Sequence, residues 1–404
     1  MDPEHAIYLD NNASTPIAGV VLEAMDACAR CQHANPSSSH RAGRRARQII
    51  ETAREDLLVA LGAKLTGATP DGLIFTSGAT EANNLALRGI VQEGAILLSP
   101  TEHPSVSRIG DLLTRDGIDV QWLKVDHRGI ISLEGLEKSL AQDKVGLVSV
   151  IWAHHETGVL QPMGEIAEIC NRYDVPLHTD ATQIATKMEI DLQQVPVAAM
   201  SFSAHKFHGP AGIGGLFVRG GVGMHPLMYG GFQQAGKRPG TESPVLVEGL
   251  RTAWQWASAR SESQNKNSLL AMRERLEGLL RTALPDVVIH GSQVERGPQT
   301  TFFSVPGVDR QLLFMALDQR GIACSTGAAC ESGAAERSTT LREMGVEEDL
   351  IDGALRLSLG HFNTPVEVDE SVGCILSCIN NLRPPPDGRS GAAPAPLKGS
   401  KLVE

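Results

Sequence analysis

The sequence predicts an α/β protein with a mainly parallel sheet, followed by a smaller α+β domain. Short apolar runs alternate with helical patterns through the first two thirds of the chain, as a parallel sheet requires. After about residue 249 the pattern becomes long and helical, with apolar residues three and four apart. The 404 residues also exceed what one small core needs.

The predicted elements follow in chain order. The strand candidates are apolar runs bounded by turn residues, and they cover 73–76, 95–99, 145–152, 175–178, 199–202 and 214–218. Apolar periodicity with flanking Gly, Asp and Pro predicts helices over 81–92 and 163–173. The second domain is predicted to hold a helix at 268–284, a strand at 301–305, a helix at 310–320 and a strand at 354–359.

We predict a large domain over residues 15–260 and a small domain formed by 1–14 and 261–382. The small domain includes a loop at 324–338 that is rich in small residues. The tail 383–404 is rich in Pro, Gly, Ser and Ala and lacks the apolar content to pack, so it is predicted to be disordered.

Composition excludes several classes of function. The net charge of −11 argues against a nucleic-acid partner, because phosphate binding needs clustered cations. No run reaches the ~18 apolar residues of a membrane span. No secretory signal is visible at the N-terminus, so a cytoplasmic location is expected.

The seven cysteines do not predict a disulfide framework, since the count is odd and no secretion signal is visible. Two pairs, Cys28 with Cys31 and Cys374 with Cys378, have spacings that could supply a zinc site. Each pair also has helical spacing in an apolar stretch, which favours buried thiols. No metal site is predicted.

A lysine follows the strand predicted over 199–202. Lys206 stands beside His205 and His208 and ahead of a cluster of glycines. An amine where a strand leaves the sheet, among small residues, can form a Schiff base with a planar aldehyde. The alternative is a lysine in a glycine-rich turn.

Two further segments favour a cofactor site. Asp180 follows a buried strand, and a carboxylate there needs a cationic partner such as a protonated pyridine nitrogen. The alternative is an Asp that caps a turn, which leaves Gln183 unexplained. Residues 75–81 form a strand, a small-residue turn and a helix start, whose free N–H groups suit a phosphate. A plain N-cap is the alternative.

Seven separated motifs then carry a resemblance to a known family. They are 8–16 (Tyr-Leu-Asp-Asn-Asn-Ala-Ser-Thr-Pro), 35–38 (Asn-Pro-Ser-Ser), 102–104 (Glu-His-Pro), 178–183 (His-Thr-Asp-Ala-Thr-Gln), 203–206 (Ser-Ala-His-Lys), 238–242 (Arg-Pro-Gly-Thr-Glu) and 325–330 (Ser-Thr-Gly-Ala-Ala-Cys). With these motifs in this order, the chain resembles the cysteine desulfurases of the NifS and IscS type from about residue 7 to 370.

The resemblance implies a homodimeric pyridoxal 5'-phosphate (PLP) enzyme of fold type I, in the class V aminotransferase group. Its large domain would hold a mainly parallel seven-stranded sheet flanked by helices. The residues that would hold PLP are Lys206 as the Schiff-base amine, Asp180 at the ring nitrogen, Gln183 at the ring hydroxyl, His103 on the ring face, His155 beside it, and Ala79, Thr80, Ser203, His205 and the partner's Thr241 at the phosphate.

The resemblance also implies the reaction. Arg356, with Asn11 or Asn12 nearby, would bind the carboxylate of L-cysteine, although a surface charge on a strand is the alternative for Arg356. Lys206 would move the α-proton and His103 would exchange a proton with the substrate thiol. Cys330 would take the sulfur as a persulfide and leave alanine, whereas Cys324 is predicted to be a buried structural thiol.

The persulfide would pass to an acceptor protein of iron–sulfur cluster assembly or tRNA thiolation. Rival functions on the same scaffold are a selenocysteine lyase, a cysteine-sulfinate desulfinase and a class V aminotransferase. A catalytically silent scaffold for sulfur-transfer partners is the non-enzymatic alternative.

One departure from the family pattern concerns two histidines. The family usually has two asparagines before Glu-Thr-Gly, whereas this chain has His154 and His155. Because the charge of a histidine depends on pH, this departure predicts an altered pH optimum or substrate preference.

Overall fold

The structure is a computed structural model that describes residues 6–90, 93–261, 268–327 and 337–383. The strands of this part are β1 (Ile7–Tyr8), β2 (Gly72–Thr76), β3 (Ala95–Leu98), β4 (Val120–Trp122), β5 (Val145–Ser149), β6 (Leu177–Asp180), β7 (Ala199–Ser203), β8 (Gly214–Val218), β9 (Val288–Ile289), β10 (Thr300–Ser304), β11 (Ile322–Ala323) and β12 (Ala354–Ser358).

The helices lie between them. They are α1 (Gly19–Cys31), α2 (Arg41–Ala60), α3 (Ala79–Gly89), α4 (Pro104–Arg115), α5 (Leu133–Gln142), α6 (Met163–Arg172), α7 (Pro244–Ser261), α8 (Leu269–Ala283), α9 (Arg310–Asp318), α10 (Thr339–Glu343), α11 (Glu348–Asp352) and α12 (Pro365–Leu382). Among the described residues, no helix is both long and apolar enough to cross a bilayer.

The central sheet has seven strands in the order β2-β8-β7-β6-β5-β3-β4. The five strands from β7 to β4 are parallel, and β8 runs antiparallel to both β7 and β2. This confirms the predicted mainly parallel sheet. The edge strand β4 was not predicted, because it has three residues and none is buried.

The strand register places the candidate residues at one edge of the sheet. Thr76 at the end of β2 and Ser203 at the end of β7 both pair with Gly214. Asp180 ends the neighbouring strand β6 and pairs with Ser201. The carboxyl ends of three strands therefore meet, which is where open α/β sheets bind ligands.

The sheet is covered on both faces, so its strands are apolar on both sides. Leu97 packs into one core, which includes residues of α2, α6 and α7. Its neighbours Ile96 and Leu98 pack into the other core, with residues of α3 and α4. On β8, Gly215 leaves room for a buried ring, since a Cβ there would lie 2.4 Å from Cζ of Phe202.

A third core lies outside this sheet. The antiparallel sheet β12-β10-β9 and the parallel pair β1-β11 pack with α8, α9 and α12. Leu9, near the N-terminus, is fully buried in this core. The division into domains at residue 261 stays a prediction.

A buried ion pair connects α8 to the loop before β10 in this part of the structure. Both oxygens of Glu277 on α8 accept hydrogen bonds of 2.8 Å from the guanidinium of Arg296, and the two side chains are only 6% and 5% exposed. Thr301 on β10 adds a hydroxyl bond of 3.0 Å. The same helix carries an exposed counterpart, Arg275 with Asp369 on α12, where the side chains are 50% and 44% exposed.

Removing one partner should therefore have very different effects in the two pairs. Glu277→Ala leaves a buried guanidinium uncompensated and is expected to lower the free energy of unfolding by about 3–5 kcal/mol. Asp369→Ala breaks the exposed pair and should cost about 1 kcal/mol or less. Urea unfolding of both variants checks this. Equal losses of stability would contradict the role given to the buried pair.

Candidate active site

A cavity of about 350 Å³ lies at the edge of the sheet where these strand ends meet. It brings together most of the residues predicted to hold the cofactor, namely Ala79, Thr80, His103, His155, Asp180, Gln183, Ser203, His205 and Lys206. Four other predicted residues, Asn11, Asn12, Thr241 and Arg356, do not line it. Cys330 lies outside the described residues.

Lys206 reaches this cavity from a short 3-10 turn, Ala204–Lys206, directly after β7. Its amine donates to the carbonyl oxygens of Asn12 and Ala13, at 2.5 and 2.9 Å. The backbone N–H of Thr15 donates to the carbonyl of His205, at 2.8 Å. The N-terminal segment thus fixes both the turn and the amine at its end.

Asp180 is held by a buried hydrogen-bond chain. One of its carboxylate oxygens accepts from the backbone N–H of Thr182 at 2.9 Å, and the other from the amide of Asn83 at 2.7 Å. The same amide nitrogen donates to the hydroxyl of Ser105 at 2.8 Å, which lies 2.8 Å from Nδ1 of His103. Asn83 and Ser105 were not predicted. They connect the carboxylate to the histidine.

His103 has a defined tautomer. Its Nδ1 also accepts from the backbone N–H of Ser105, at 3.1 Å, so the proton of the neutral ring is on Nε2. Burial lowers the pKa of His103. The charge of Asp180 opposes this shift, and the charges of Lys206 and Arg356 add to it. The ring is therefore a neutral donor that faces the ring of His155 edge-on, at 5.4 Å between centroids.

The two histidines at 154 and 155 are also neutral. Burial lowers the pKa of His154 to about 3 and that of His155 well below its ordinary value. Their charge therefore does not change across the physiological range, which argues against a pH-dependent effect of these two rings. Whether they alter the pH optimum or the substrate preference stays a prediction.

The polar atoms of the cavity fit a bound cofactor. Three buried atoms that line it, Oε1 of Gln183, Nδ1 of His155 and Oγ1 of Thr182, have no hydrogen-bond partner in the part of the chain that is described. Buried polar groups in folded proteins are normally paired, so a ligand with several polar groups fits this lining. The carboxylate of Asp180 suits the protonated pyridine nitrogen of PLP.

The start of α3 suits the phosphate of PLP. Gly78 is the N-cap, with a φ of 155°, and contributes no side-chain cap to the first N–H groups of the helix. Such groups have no partner within the helix and attract anions. Ala79 and Thr80 in the first turn line the cavity together with Ser203 and His205.

Arg356 lies in β12 and is buried, so the alternative of a surface charge was wrong. Its guanidinium donates to Asp10 at 2.8 Å and to the carbonyl of His155 at 3.2 Å. Its Nε has no hydrogen-bond partner among the described residues. Arg356 thus contacts the backbone of a residue that lines the cavity.

Asn11 and Asn12 connect the N-terminal segment to the small sheets. The amide of Asn11 donates to the carbonyl of Ser358 at 2.9 Å. The amide of Asn12 donates to Oγ1 of Thr300 at 2.8 Å and to the carbonyl of His155 at 3.1 Å. These bonds position the carbonyl that receives Lys206. Whether either amide contacts a substrate stays a prediction.

Two predicted residues lie away from the cavity. Thr241 is exposed, three residues after Arg238, whose guanidinium forms a two-point ion pair with Glu81 in the first turn of α3. Cys324 is buried in the third core, and burial raises the pKa of its thiol to about 12. The buried position agrees with the prediction, and the structural role stays a prediction.

The described residues contain no group of three or more His, Cys, Asp or Glu side chains that could hold a metal ion. Cys28 and Cys31 lie on α1, and Cys374 and Cys378 lie on α12. Cys28 and Cys378 are buried, as their helical spacing predicted, whereas Cys31 is exposed and Cys374 is half-buried, so the prediction of buried thiols was wrong for these two.

Comparison with known proteins assigns the family. Residues 7–370 match the family described as Aminotransferase class-V. The chain belongs to this family. A curated relative from Mycobacterium tuberculosis, named IscS-like cysteine desulfurase, is 37% identical to it over 388 residues, which cover 93% of this chain and 97% of the relative.

Solved structures agree with this class V assignment. A NifS-like protein from Rickettsia africae superposes with a TM-score of 0.85 at 31% identity, and the match covers 93% of this chain and all of that one. A structure titled SspA in complex with cysteine has a TM-score of 0.76 at 28% identity, with 89% and 100% coverage. Both likenesses support fold type I for this chain.

Glu102 is a further buried acid beside the site of this class V protein. One of its oxygens accepts from the N–H of Ile151 at 2.6 Å, and the other has no hydrogen-bond partner among the described residues. Burial raises the pKa of Glu102 well above its ordinary value. The charge of Asp180 raises it further, and the bond from Ile151 opposes the shift. Glu102, next to His103, therefore keeps its proton to a higher pH than an ordinary glutamate does.

This protonation predicts a pH-dependent effect of Glu102→Gln. With a folded-state pKa above the unfolded value of about 4.3, the folded state binds the extra proton, so wild-type stability falls as pH rises between the two values. Glutamine does not titrate. Relative to wild type, the variant should thus gain stability as the pH is raised above about 4.3 toward neutrality, measured by urea unfolding.

Glu168→Gln on α6 serves as the matched control for the same substitution at an exposed site. If the difference in stability between Glu102→Gln and wild type stays constant over this range, Glu102 is ionised in the folded protein and the assignment is wrong.

Proposed function

We propose that this chain is a PLP-dependent cysteine desulfurase, which converts L-cysteine to L-alanine and takes the sulfur on Cys330. The observation that carries the proposal is the single cavity that holds Lys206, Asp180 and the start of α3. Gly327, three residues before Cys330, lines a neighbouring cavity together with His155. The names of the curated relatives support the same activity.

The binding roles follow from the lining. Lys206 would hold the cofactor, with Asp180 opposite the ring nitrogen and Gln183 and His155 beside the ring hydroxyl. The phosphate would lie against Ala79, Thr80, Ser203 and His205. When bound, PLP supplies an electron sink for the pair that remains after loss of the α-proton.

The proton steps use neutral groups of this chain. The Lys206 amine would remove the α-proton of the substrate and return a proton to the product. Nε2–H of His103 lies in the same cavity and would exchange a proton with the substrate thiol. The hydrogen bonds from Asn83 to Ser105 and from Ser105 to His103 keep this ring in one tautomer. Arg356 would bind the substrate carboxylate, while its bond to Asp10 holds the guanidinium in place.

The sulfur step balances without an added oxidant or reductant. The Cys330 thiolate would attack the substrate sulfur, so that an S–S bond forms as the C–S bond breaks. The electron pair of the broken bond goes to the β-carbon, which takes a proton and becomes the methyl group of alanine. Cys330 is left as a persulfide for an acceptor protein of iron–sulfur cluster assembly or tRNA thiolation.

A homodimer is part of the proposal. The segment before Thr241 exposes two large apolar side chains, Tyr229 at 88% and Phe232 at 85%. Exposed apolar side chains this close together are typical of an interface. In the dimer, Thr241 would contact the phosphate bound by the partner subunit. A cytoplasmic location also stays a prediction.

The test adds cysteine to the holoenzyme, traps thiols by alkylation and locates the persulfide by mass spectrometry. The persulfide should be on Cys330, with one alanine formed for each persulfide. Cys330→Ser should lower alanine formation about a hundredfold or more, because the nucleophile is gone. Cys31→Ser, at an exposed cysteine of α1, should behave as wild type. Lys206→Ala should lose the visible absorbance of the bound cofactor.

The rival activities give different products. A keto acid from cysteine in place of alanine indicates an aminotransferase. Selenide from selenocysteine, with no alanine from cysteine, indicates a selenocysteine lyase. Full desulfuration by Cys330→Ser would refute the proposed sulfur step.

A further inference from the structure

One buried carboxylate contacts both ends of the segment that carries Cys330. That segment, residues 328–336, lies outside the described residues, but the residues on either side are described. Ser338 follows it and is the N-cap of α10, where its Oγ accepts from the N–H of Leu341 at 3.1 Å. The hydroxyl donates its own hydrogen to Oε2 of Glu156, at 2.5 Å.

The other end meets the second oxygen of the same carboxylate. Gly327 has a φ of 96°, and a Cβ on it would lie 3.3 Å from Oε1 of Glu156 and 3.1 Å from Cζ of Phe302. Just before it, Ser325 forms two backbone hydrogen bonds with Arg356, of 3.1 and 2.7 Å. Glu156 is itself only 4% exposed. Its carboxylate therefore lies between the two ends and is hydrogen-bonded to one of them.

The turn that carries Glu156 also reaches the cofactor cavity. Nδ1 of His154 accepts hydrogen bonds from the backbone N–H groups of Glu156 and Thr157, at 3.2 Å each. The proton of the neutral ring is therefore on Nε2, which donates to Oγ1 of Thr340 at 3.0 Å. His155, between the two anchoring residues, lines the cavity with Lys206. The same turn thus binds α10 and forms part of the cofactor site.

The short distance along the chain makes this anchoring relevant to Cys330. Cys330 comes three residues after Gly327, and an extended chain spans at most ~3.6 Å per residue. Where Gly327 is held determines which part of the cavity the thiol can reach.

We propose that Glu156 is a positioning residue that holds both ends of the Cys330 segment against the cofactor cavity, so that the thiol reaches the substrate sulfur. This inference rests on the proposed desulfurase function. It assigns Glu156 to the delivery of the thiol and not to the binding of cofactor or substrate.

The experiment separates these two steps in the holoenzyme. Cysteine binding at the cofactor is followed by the change in visible absorbance, and thiol delivery by alanine formation and by the persulfide on Cys330. In Glu156→Ala, the half-saturating cysteine concentration for the absorbance change should stay within about twofold. The rate of persulfide formation should fall about tenfold to a hundredfold, since small misplacements of reacting groups have effects of this size.

Conservative variants test the contact itself. Glu156→Gln keeps an oxygen that can accept from Ser338, so its persulfide rate should be restored to within about threefold of wild type. Ser338→Ala should slow persulfide formation as Glu156→Ala does, and Ser338→Thr, which keeps the hydroxyl, should not. Ser132→Ala removes an equivalent N-cap from α5 and controls for the loss of a cap.

A wild-type persulfide rate in Glu156→Ala overturns the inference. The inference is also overturned if Glu156→Ala loses the cysteine-induced absorbance change as strongly as it loses persulfide formation, because such a result indicates damage to the whole cavity. If Glu156→Ala does not fold, the comparison of Ser338→Ala with Ser338→Thr decides, and equal rates in these two overturn it. A wild-type enzyme that forms no persulfide on Cys330 instead refutes the proposed function.

Discussion

The carbonyl of Asn12 receives both the Lys206 amine and the side-chain amide of Gln183. This carbonyl belongs to a short N-terminal segment that also bonds to β12 and to the 3-10 turn after β7. The segment thus contacts the amine, a neighbouring cavity residue and the small sheets together. The position of the amine relative to the strand ends therefore depends on contacts made from outside the central sheet.

Neutral groups surround the amine. His103, His154 and His155 are kept uncharged by burial, and Glu102 keeps its proton for the same reason. The carboxylate of Asp180 is thus embedded among hydrogen-bond donors that carry no charge of their own. In a poorly solvated site, a lone carboxylate interacts strongly with any cation that enters, which suits a ligand with a protonated ring nitrogen.

Much of this arrangement could be predicted from the sequence, because the residues that carry chemistry follow apolar strands directly. Asp180 and Lys206 are examples, and the parallel sheet brings their strand ends together. Asn83 and Glu156 were missed because their partners, Asp180 and Ser338, are distant in sequence, and no local pattern indicates such pairs. The burial of Arg356 was also not predictable. Apolar and polar residues alternate around it in the sequence, although every residue of its strand is buried.

The pairing of β1 with β11 has a consequence for the order of assembly. Ile7 lies beside Ile322, so β1 can pair only after β11, a strand far later in the chain, has been synthesised. The central sheet can form earlier, because chains fold domain by domain as they emerge. The acceptor oxygens for Lys206 lie on the segment that directly follows β1, and this segment also bonds to β12. A nascent or truncated chain can thus be compact and still lack the environment its reactive amine needs.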